Sequence, residues 1–469
     1  MDNEYKDSID DQAQDQNSHE EIHRTLEDTS KAPNSIEDTD EILETLLNFL
    51  QSRKFGEQSD IIFQICENII ENPQKYEKRL QEYGVIENFP NASQIVDLSI
   101  ADQCHIILLS SCIAEISPKY SEHFCELEYF DLCLNFLNLQ SLNLVELSIR
   151  FISAVLLHCY IEFDVETFLE TIYSILRIGK YTKQWCCRAL YGLILHYDFS
   201  SFLKTIIDIA ETIRNTADDT DTGLSDNWIA QLCTVLLKKN KNYLRILEWG
   251  QLLGGLVETL EQQYILDEFT PLEESFQLHF FRFFLEITKS TDPNHAARII
   301  EMVKPEFMAK VIQNSAYEVT EIVLQILVFI YEEKSSVSII NCISTPHNLQ
   351  EVVSSCFSAT FHSRVAAVRL IHAALELNCS DGLVNMLISI GYFEKVVDIY
   401  QDVPSKKYIL STILIFMKII GNQAIEYFLN SEISNDIENE DIDDDSDEYE
   451  IVVQLVEEIS NIVNSYKNT

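Results

Sequence analysis

A stretch that recurs along the chain decides its fold. Residues 148–158 read SIRFISAVLLH and residues 186–196 read CCRALYGLILH, so that Arg150 and Arg188 stand 38 positions apart. A third copy, AVRLIHAALEL at 367–377, places Arg369 at the same point of the pattern. The apolar residues of each copy recur at helical spacing. A repeat of roughly 40 residues that holds a pair of helices is typical of a stacked superhelix, and not of a compact enzyme domain.

The composition agrees with long helices joined by short connections. Of 469 residues, 46% are hydrophobic, 11 are glycine and 9 are proline. Tight β-turns need Gly and Pro, so their scarcity disfavours an all-β fold. Helical periodicity begins near residue 41, where Ile42, Leu46, Phe49 and Leu50 fall on one face.

The pattern predicts pairs of a shorter and a longer helix. Ser117 followed by Pro118 indicates a helix start, since proline favours the first helical position. A loop is predicted at 218–225. Helices are predicted at 128–139, 143–158, 165–178, 182–196, 201–214, 228–238, 243–264, 272–289, 305–313, 319–333, 349–357 and 363–377.

The charge of the chain is strongly negative and is concentrated near its two ends. The formal net charge is −43. Residues 1–40 hold 13 acidic and 3 basic side chains, a net −10, and residues 431–450 hold 11 acidic and no basic ones, a net −11. Such a field repels phosphate backbones and anionic lipid surfaces. The charge therefore disfavours nucleic acid and membranes as partners, and it favours proteins with basic segments.

These patterns divide the chain into four segments. Residues 1–37 and 431–449 are polar and acidic, and we expect them to be disordered. Residues 38–430 should form the helical repeat domain, and residues 450–469 a C-terminal helix with one apolar face. That helix either folds back to cap the repeats or stays exposed to bind a partner.

The twelve cysteines contain no C-x-x-C pair, and most stand in apolar helical runs, as Cys66, Cys112 and Cys133 do. We interpret them as small core residues in a reducing compartment. The acidic N-terminus shows no signal peptide, and no apolar stretch approaches the length needed to span a bilayer. The expected location is the cytoplasm, the nucleus or both.

The recurring helix resembles the third helix of armadillo repeats, whose frame reads A-l-x-a-L-s-N-l. CCRALYGL at 186–193 and AVRLIHAA at 367–374 fit this frame, and 148–155 fits it more loosely. The chain is thus identified as a divergent armadillo-like or HEAT-like repeat protein. The resemblance implies an all-α fold, a right-handed α–α superhelix whose third helices line a concave groove. In this fold the groove binds extended segments of partner proteins.

Importin-α proteins, which have this fold, place a Trp and, four residues later, an Asn in the groove. The Trp rings hold the stems of Lys and Arg, and the Asn side chains pair with the peptide backbone. In this chain Arg150, Arg188 and Arg369 stand at the Trp positions, and small residues stand at the Asn positions. Because these Trp and Asn residues are absent, a nuclear transport adaptor that carries basic cargo is only the second interpretation of the function.

The three arginines are the predicted partner-binding residues. A guanidinium binds a carboxylate or a phosphate in a fork, so Arg150, Arg188 and Arg369 could clamp either group on a partner. The alternative is that they pair with carboxylates of this very acidic chain. His158 and His196 end two of the copies, where histidine favours a helix C-terminus, and we expect a structural role for them.

Three other motifs give no site. HEEIH at 19–23 matches the zinc pattern H-E-x-x-H, but its flanks are polar and metal catalysis requires a dry, rigid pocket. Gly250, Gly254 and Gly255 fall in one helical run and predict close helix packing, not a phosphate loop. The basic run KKNK at 238–241 is interpreted as a solvated loop or as a contact of the acidic tail.

We predict a non-enzymatic protein-protein interaction scaffold that binds partner segments along a concave groove. No catalytic residue, cofactor or metal site is predicted.

Overall fold

The structure, a computed structural model, describes residues 39–52, 59–139, 141–176, 182–216, 222–249, 252–263, 269–289, 292–333, 336–358, 361–377, 381–400, 406–431, 433 and 449–467. Over these ranges the regular structure is α-helical, apart from two 3₁₀ turns at Ile86–Asn88 and Lys241–Tyr243. The expected all-α class is confirmed. The HEEIH motif, residues 1–37 and most of 431–449 lie outside the described residues, so the predictions made for them stay predictions.

The described residues group into two compact units. Unit 1 runs to Thr259 and includes Thr270–His279, and unit 2 comprises Leu260–Phe269 and Phe280 onward. The helices of unit 1 are α1 (Thr39–Ser52), α2 (Ser59–Glu71), α3 (Pro73–Glu82), α4 (Ala92–Ile95), α5 (Ile100–Ala114), α6 (Pro118–Glu126), α7 (Tyr129–Phe136), α8 (Leu142–His158), α9 (Val165–Ile175), α10 (Thr182–His196), α11 (Leu203–Thr216), α12 (Thr222–Lys239) and α13 (Leu244–Trp249).

Residues of α14 (Leu252–Gln263) and α15 (Pro271–Thr288) are divided between the two units. The helices of unit 2 are α16 (Pro293–Ile300), α17 (Pro305–Asn314), α18 (Tyr317–Glu332), α19 (Val337–Ile343), α20 (Pro346–Ser358), α21 (Phe361–Leu377), α22 (Asp381–Ser389), α23 (Tyr392–Asp398), α24 (Lys406–Ile420), α25 (Asn422–Leu429) and α26 (Tyr449–Lys467).

In unit 1 the long helices stack on one another in chain order. Helix α8 packs against α5 on one side and α10 on the other, and α10 packs against α12. The shorter helix α7 packs against α8, and α11 packs against α12. The long helices therefore bury apolar faces mainly against the long helices before and after them, as a helical repeat requires, and α8 and α12 also pack against a shorter helix.

The same order recurs in unit 2, and the last helix closes it. Helices α18, α21, α24 and α26 pack in succession. Helix α26 buries Val452, Ile459 and Val463. Its Glu458 lies 3.1 Å from Lys418 Nζ of α24. Of the two alternatives for the C-terminal helix, the structure shows the one in which it folds back onto the repeats.

Local signals set several helix ends as predicted. Pro118 is the first residue of α6, and α10 has the predicted bounds. Asp164 caps α9 because its Oδ1 accepts a hydrogen bond from the Thr167 amide at 3.2 Å. Ile42, Leu46, Phe49 and Leu50 of α1 are all buried, which confirms the predicted apolar face.

Most predicted helix ends lie within about three residues of the observed ones, and two predictions differ more. Residues 222–225, predicted as part of a loop, belong to α12, and Ser225 and Asp226 are each 1% exposed. Tertiary contacts of these polar residues hold them in a helix that their local propensity disfavours. The single helix predicted at 243–264 is two helices, α13 and α14.

The end of each long helix in unit 1 is capped by the next one. His158 Nε2 of α8 lies 3.3 Å from the carbonyl oxygen of Glu115, just beyond α5. His196 Nε2 of α10 lies 3.1 Å from the Leu157 carbonyl oxygen of α8. Lys239 Nζ of α12 donates to the Leu195 carbonyl of α10 at 3.0 Å. The expected structural role of the histidines is confirmed, but the carbonyl that each contacts belongs to the preceding repeat.

Candidate functional site

Two of the predicted partner-binding arginines meet in unit 1 around one carboxylate. Arg188 Nη1 donates to Glu115 Oε1 at 2.7 Å, and Arg150 Nε lies 3.8 Å from the same oxygen. The Arg188 side chain is 0% exposed, and the Arg150 side chain is 11% exposed. The 38-residue offset brings the two arginines to one level because α8 and α10 stack side by side. Glu115, at the end of α5, therefore neutralises guanidinium groups from the next two long helices.

Two tryptophan rings complete this group, which we name the tryptophan–arginine cluster (Glu115, Arg150, Trp185, Arg188 and Trp228). The Arg150 guanidinium carbon lies 4.9 Å from the centre of the Trp185 ring. The same carbon of Arg188 lies 5.4 Å from Trp185 and 5.5 Å from Trp228. These distances are typical of cation–π contacts. The two indole rings thus face cations that the chain itself supplies.

Burial shapes the electrostatics of the cluster. Burial alone would lower the pKa of Arg150, but the neighbouring Cys112 and Glu115 outweigh it and raise that pKa. In the part of the chain that the structure describes, Nε and Nη2 of Arg188 have no hydrogen-bond partner. The nearby indole rings of Trp185 and Trp228, together with Glu115, compensate this fully buried charge.

The third predicted arginine has the same arrangement in unit 2, which we name the tyrosine–arginine cluster (Glu332, Arg369 and Tyr408). Arg369 Nη2 donates to both carboxylate oxygens of Glu332, at 3.0 and 3.4 Å. Its guanidinium carbon lies 5.2 Å from the Tyr408 ring centre. The Arg369 side chain is 38% exposed. In both units an arginine takes its acid from the long helix before it and its aromatic ring from the long helix after it.

All three arginines therefore pair with carboxylates of this chain, which is the alternative that the sequence had left open. Their assignment to partner binding stays a prediction. Sequence reasoning missed the acids Glu115 and Glu332 and the ring of Tyr408. Spacing is the signal that could have found them, because each acid ends a long helix 35 to 37 residues before its arginine.

The small residues four places after the arginines are buried. Ala154 is 0% exposed and Ala373 is 4% exposed. A Cβ atom at Gly192 would lie 2.7 Å from the carbonyl carbon and oxygen of Leu156. The position that holds the groove asparagine in importin-α is therefore a helix-to-helix contact here, and only glycine permits the observed approach of α10 to α8.

Gly254 and Gly255, which the sequence predicts to mediate close helix packing, differ from Gly192 in what surrounds them. A Cβ atom at Gly254 would meet nothing within 4 Å, so the prediction is wrong at this position, which faces open space. Gly255 instead leaves room for Arg214, because a Cβ atom there would lie 2.0 Å from the guanidinium carbon. Gly250 lies outside the described residues.

Ten of the half-exposed side chains of α8, α10 and α12 form what we name the unit 1 face. Five of them are polar or charged, four are aliphatic and one is a tyrosine. They are Glu146, Leu147, Arg150 and Leu157 of α8, Gln184, Tyr191 and Leu195 of α10, and Gln231, Thr234 and Val235 of α12. The Tyr191 ring lies 5.7 Å from Trp228, so the face and the tryptophan–arginine cluster are continuous.

A second buried acid in unit 1 supports α12. Asp226 is 1% exposed and accepts a hydrogen bond from the Thr259 hydroxyl. Arg214 Nε lies 3.8 Å from Asp226 Oδ1. Burial raises the pKa of Asp226 to about 6, although Thr259 and Arg214 oppose that rise. The carboxyl group is thus half protonated near the lower end of the physiological pH range.

We expect Asp226 to make the chain less stable as the pH rises from 5 to 7. Its folded-state pKa lies above the unfolded value, so its contribution is complete at low pH and is lost as the pH passes about 6. Urea unfolding at several pH values should show that the free energy of unfolding of the wild type, minus that of Asp226→Asn, falls by about 1 kcal/mol over this range. The range stays above the isoelectric point of about 4.4.

Asp164→Asn is the matched control for this measurement. The Thr167 hydroxyl lowers the pKa of Asp164, an exposed cap of α9, so its contribution is lost as the pH falls. That loss lies below the pH range of the measurement, so Asp164→Asn should leave the pH dependence between pH 5 and 7 unchanged, whereas Asp226→Asn should remove the part that belongs to Asp226. A wild-type protein and an Asp226→Asn variant with parallel pH profiles would contradict the expectation.

Over the described ranges, no three His, Cys, Asp or Glu side chains come together in a way that could hold a metal ion. Among the same residues, no helix combines the length and the apolar character that crossing a bilayer demands.

Comparison with known proteins bears on the fold. The chain is similar to an engineered protein of the Northeast Structural Genomics Consortium, with a TM-score of 0.58, 13% identity, and coverage of 90% of this chain and 99% of that one. A designed armadillo repeat protein gives a TM-score of 0.39 at 14% identity over 54% of this chain and 98% of its own. Another, in complex with the peptide (KR)4, gives 0.38 at 14% identity over the same shares.

No model of a protein family matches the chain, and the search of curated proteins gives no match. The similarity to the engineered protein concerns the fold alone. Together with the stacked helix pairs, it supports the expected all-α class: the chain is a protein of stacked helical repeats.

Proposed function

We propose that the chain is a non-enzymatic scaffold that binds segments of partner proteins on the unit 1 face. The observation that carries this proposal is the side-by-side stack of α8, α10 and α12, each of which carries a row of half-exposed side chains at helical spacing. Such a row offers successive contacts at regular spacing, which suits an extended segment better than a small molecule. The amides of Gln184 and Gln231 can each donate to and accept from a peptide backbone.

The charge of the chain favours partners with basic segments. A net charge of −43 attracts cations over a distance set by the salt concentration, which raises the rate of encounter. On the unit 1 face, Glu146 supplies a carboxylate one helical turn before Arg150, whose charge it also feels. Attraction thus brings a basic segment to the face, and polar contacts with the long helices hold it there.

A transport adaptor that carries basic cargo is the second candidate. In that mechanism, tryptophan rings would hold the side chains of cargo lysine and arginine. The rings of Trp185 and Trp228 already face Arg150 and Arg188, which favours the scaffold over this candidate. The two differ in sequence specificity, because stacked rings at fixed spacing discriminate the order of residues whereas long-range attraction does not.

The proposal can be tested by measuring the binding of the peptide (KR)4 by fluorescence anisotropy. We expect its affinity to fall about tenfold between about 0.05 M and about 0.3 M salt. Glu146→Lys on the unit 1 face should weaken binding about fivefold, since it replaces an attraction with a repulsion. Glu166→Lys, on α9, is the matched control because it makes the same change of charge away from this face, and it should have less than about half that effect.

Three outcomes would count against the proposal. Equal effects of Glu146→Lys and Glu166→Lys would place binding elsewhere. An affinity that does not change with salt would remove the electrostatic part. A strong preference for a basic localisation peptide over a scrambled peptide of the same composition would favour the transport adaptor.

A further inference from the structure

Two buried cysteines lie against each other beside the tryptophan–arginine cluster. Cys66 of α2 is 3% exposed and Cys112 of α5 is 1% exposed. Their thiols are within hydrogen-bonding reach of each other. Cys133 is as deeply buried, but burial raises its pKa and no arginine is among the groups that shift it. The surroundings of Cys66 and Cys112 therefore differ from those of this buried thiol.

A guanidinium group also reaches one of the two sulfur atoms. Arg150 Nη2 donates to Cys112 Sγ at 3.5 Å. Glu115 carries one negative charge and is shared by Arg150 and Arg188, which carry two positive ones. A thiolate at Cys112 would supply a further negative charge where Arg150 can pair with it. The geometry therefore favours ionisation of this sulfur.

The two thiols are made unequal by these contacts. The hydrogen bond from Cys66 lowers the pKa of Cys112, burial opposes this, and the charge of Arg150 lowers it further, so that the net change is downward. Burial raises the pKa of Cys66 well above its ordinary value. Cys112 is thus the nucleophile of the pair, and Cys66 is the protonated thiol beside it.

We propose that Cys66 and Cys112 are an oxidation site that a peroxide converts into a disulfide. The Cys112 thiolate attacks one oxygen of hydrogen peroxide, the O–O bond breaks, hydroxide leaves, and Cys112 becomes a sulfenic acid. The Cys66 thiol then forms the S–S bond and displaces the sulfenic oxygen, which leaves as water with the thiol proton. The two sulfur atoms together lose two electrons, and the peroxide gains them.

The test uses the full chain, titrated with hydrogen peroxide, blocked with an alkylating reagent, digested and analysed by mass spectrometry. A peptide that joins Cys66 to Cys112 should form at least about ten times faster than any oxidation of Cys133, which serves as the matched control thiol. In Cys66→Ser, Cys112 should stop at the sulfenic acid, which dimedone traps. Because Cys112 is buried, dimedone is added while the oxidised Cys66→Ser protein is unfolded in urea; no adduct under these conditions, or oxidation of Cys112 no faster than that of Cys133, would overturn the proposal.

A second set of variants tests the role of Arg150 and guards against misfolding. Arg150→Met should slow oxidation of Cys112 about tenfold, whereas Arg150→Lys, which keeps a positive charge, should slow it less. Arg369→Met is the matched control because it removes an arginine from the tyrosine–arginine cluster and leaves this pair intact. Circular dichroism identifies any variant that is not folded. A folded Arg150→Met protein that reacts at the wild-type rate would remove Arg150 from the proposal.

Discussion

Replacing Arg188 with methionine should lower the free energy of unfolding of the chain by about 3–5 kcal/mol. The substitution leaves Glu115 buried and removes its nearest cation, which lies 2.7 Å away. It also removes the cation whose guanidinium carbon lies 5.4 Å from the Trp185 ring centre and 5.5 Å from that of Trp228. Urea unfolding followed by tryptophan fluorescence and by circular dichroism measures the loss.

Arg369→Met is the control for this prediction, because Arg369 makes the same kind of pair at a half-exposed position. Its loss should cost no more than about 1 kcal/mol, since solvent screens an exposed pair. In a double variant with Arg188→Met and Glu115→Leu the buried carboxylate is gone, but Arg150 also loses its acid, so the two losses should not add and the double variant should lie within about 1 kcal/mol of Arg188→Met alone. Equal losses for Arg188→Met and Arg369→Met would show that burial does not set the strength of these pairs.

Gly192→Val should destabilise the chain by about 3 kcal/mol or more. Even the first added carbon would lie 2.7 Å from the backbone of Leu156, so α8 and α10 must move apart. This separation would also disturb Arg150 and Arg188, which depend on the distance between the same two helices. Thermal and urea unfolding measure the change.

Gly254→Ala is the matched control and should have the opposite sign. Gly254 is helical and has nothing within 4 Å of an added Cβ. Alanine there should stabilise the chain by about 0.5–1 kcal/mol, because it lowers the entropy of the unfolded state. If Gly192→Val were tolerated as well as Gly254→Ala, the close approach of α10 to α8 would not exist in solution.

The sequence predicts the helices well because their signals are local. The bounds of α10 follow from an apolar run of helical period, and the start of α6 follows from Pro118. The stacking of α8 on α10 follows from the offset of the repeat. These features need information from a window of about 40 residues, which is the length over which the pattern recurs.

The partners of the arginines could not be predicted in the same way. Glu115, Arg150 and Trp185 stand at intervals of 35 residues in sequence, and they meet only because three long helices pack in order. In a chain with 76 acidic residues, many carboxylates could have met a given arginine. The choice depends on side-chain geometry across helices, which the periodicity of one helix does not contain.

The start of α12 is a second feature that local sequence could not predict. Polar residues near Asp226 predict a loop when only their propensity is considered. The contacts of Asp226 with Thr259 and Arg214 come from α14 and α11, and they favour the helix. Tertiary contacts thus reverse a local preference at the place where the acid is buried.

The position of Arg150 has a mechanical consequence. A stack of helices held only by apolar contacts can be peeled from its end one repeat at a time, because each repeat touches only its neighbours. Arg150 belongs to α8, yet it contacts Glu115 beyond α5 and Trp185 in α10. Tension along the chain cannot detach the middle helix without breaking links on both sides. Under an applied force, α5, α8 and α10 should therefore separate together and not one helix at a time.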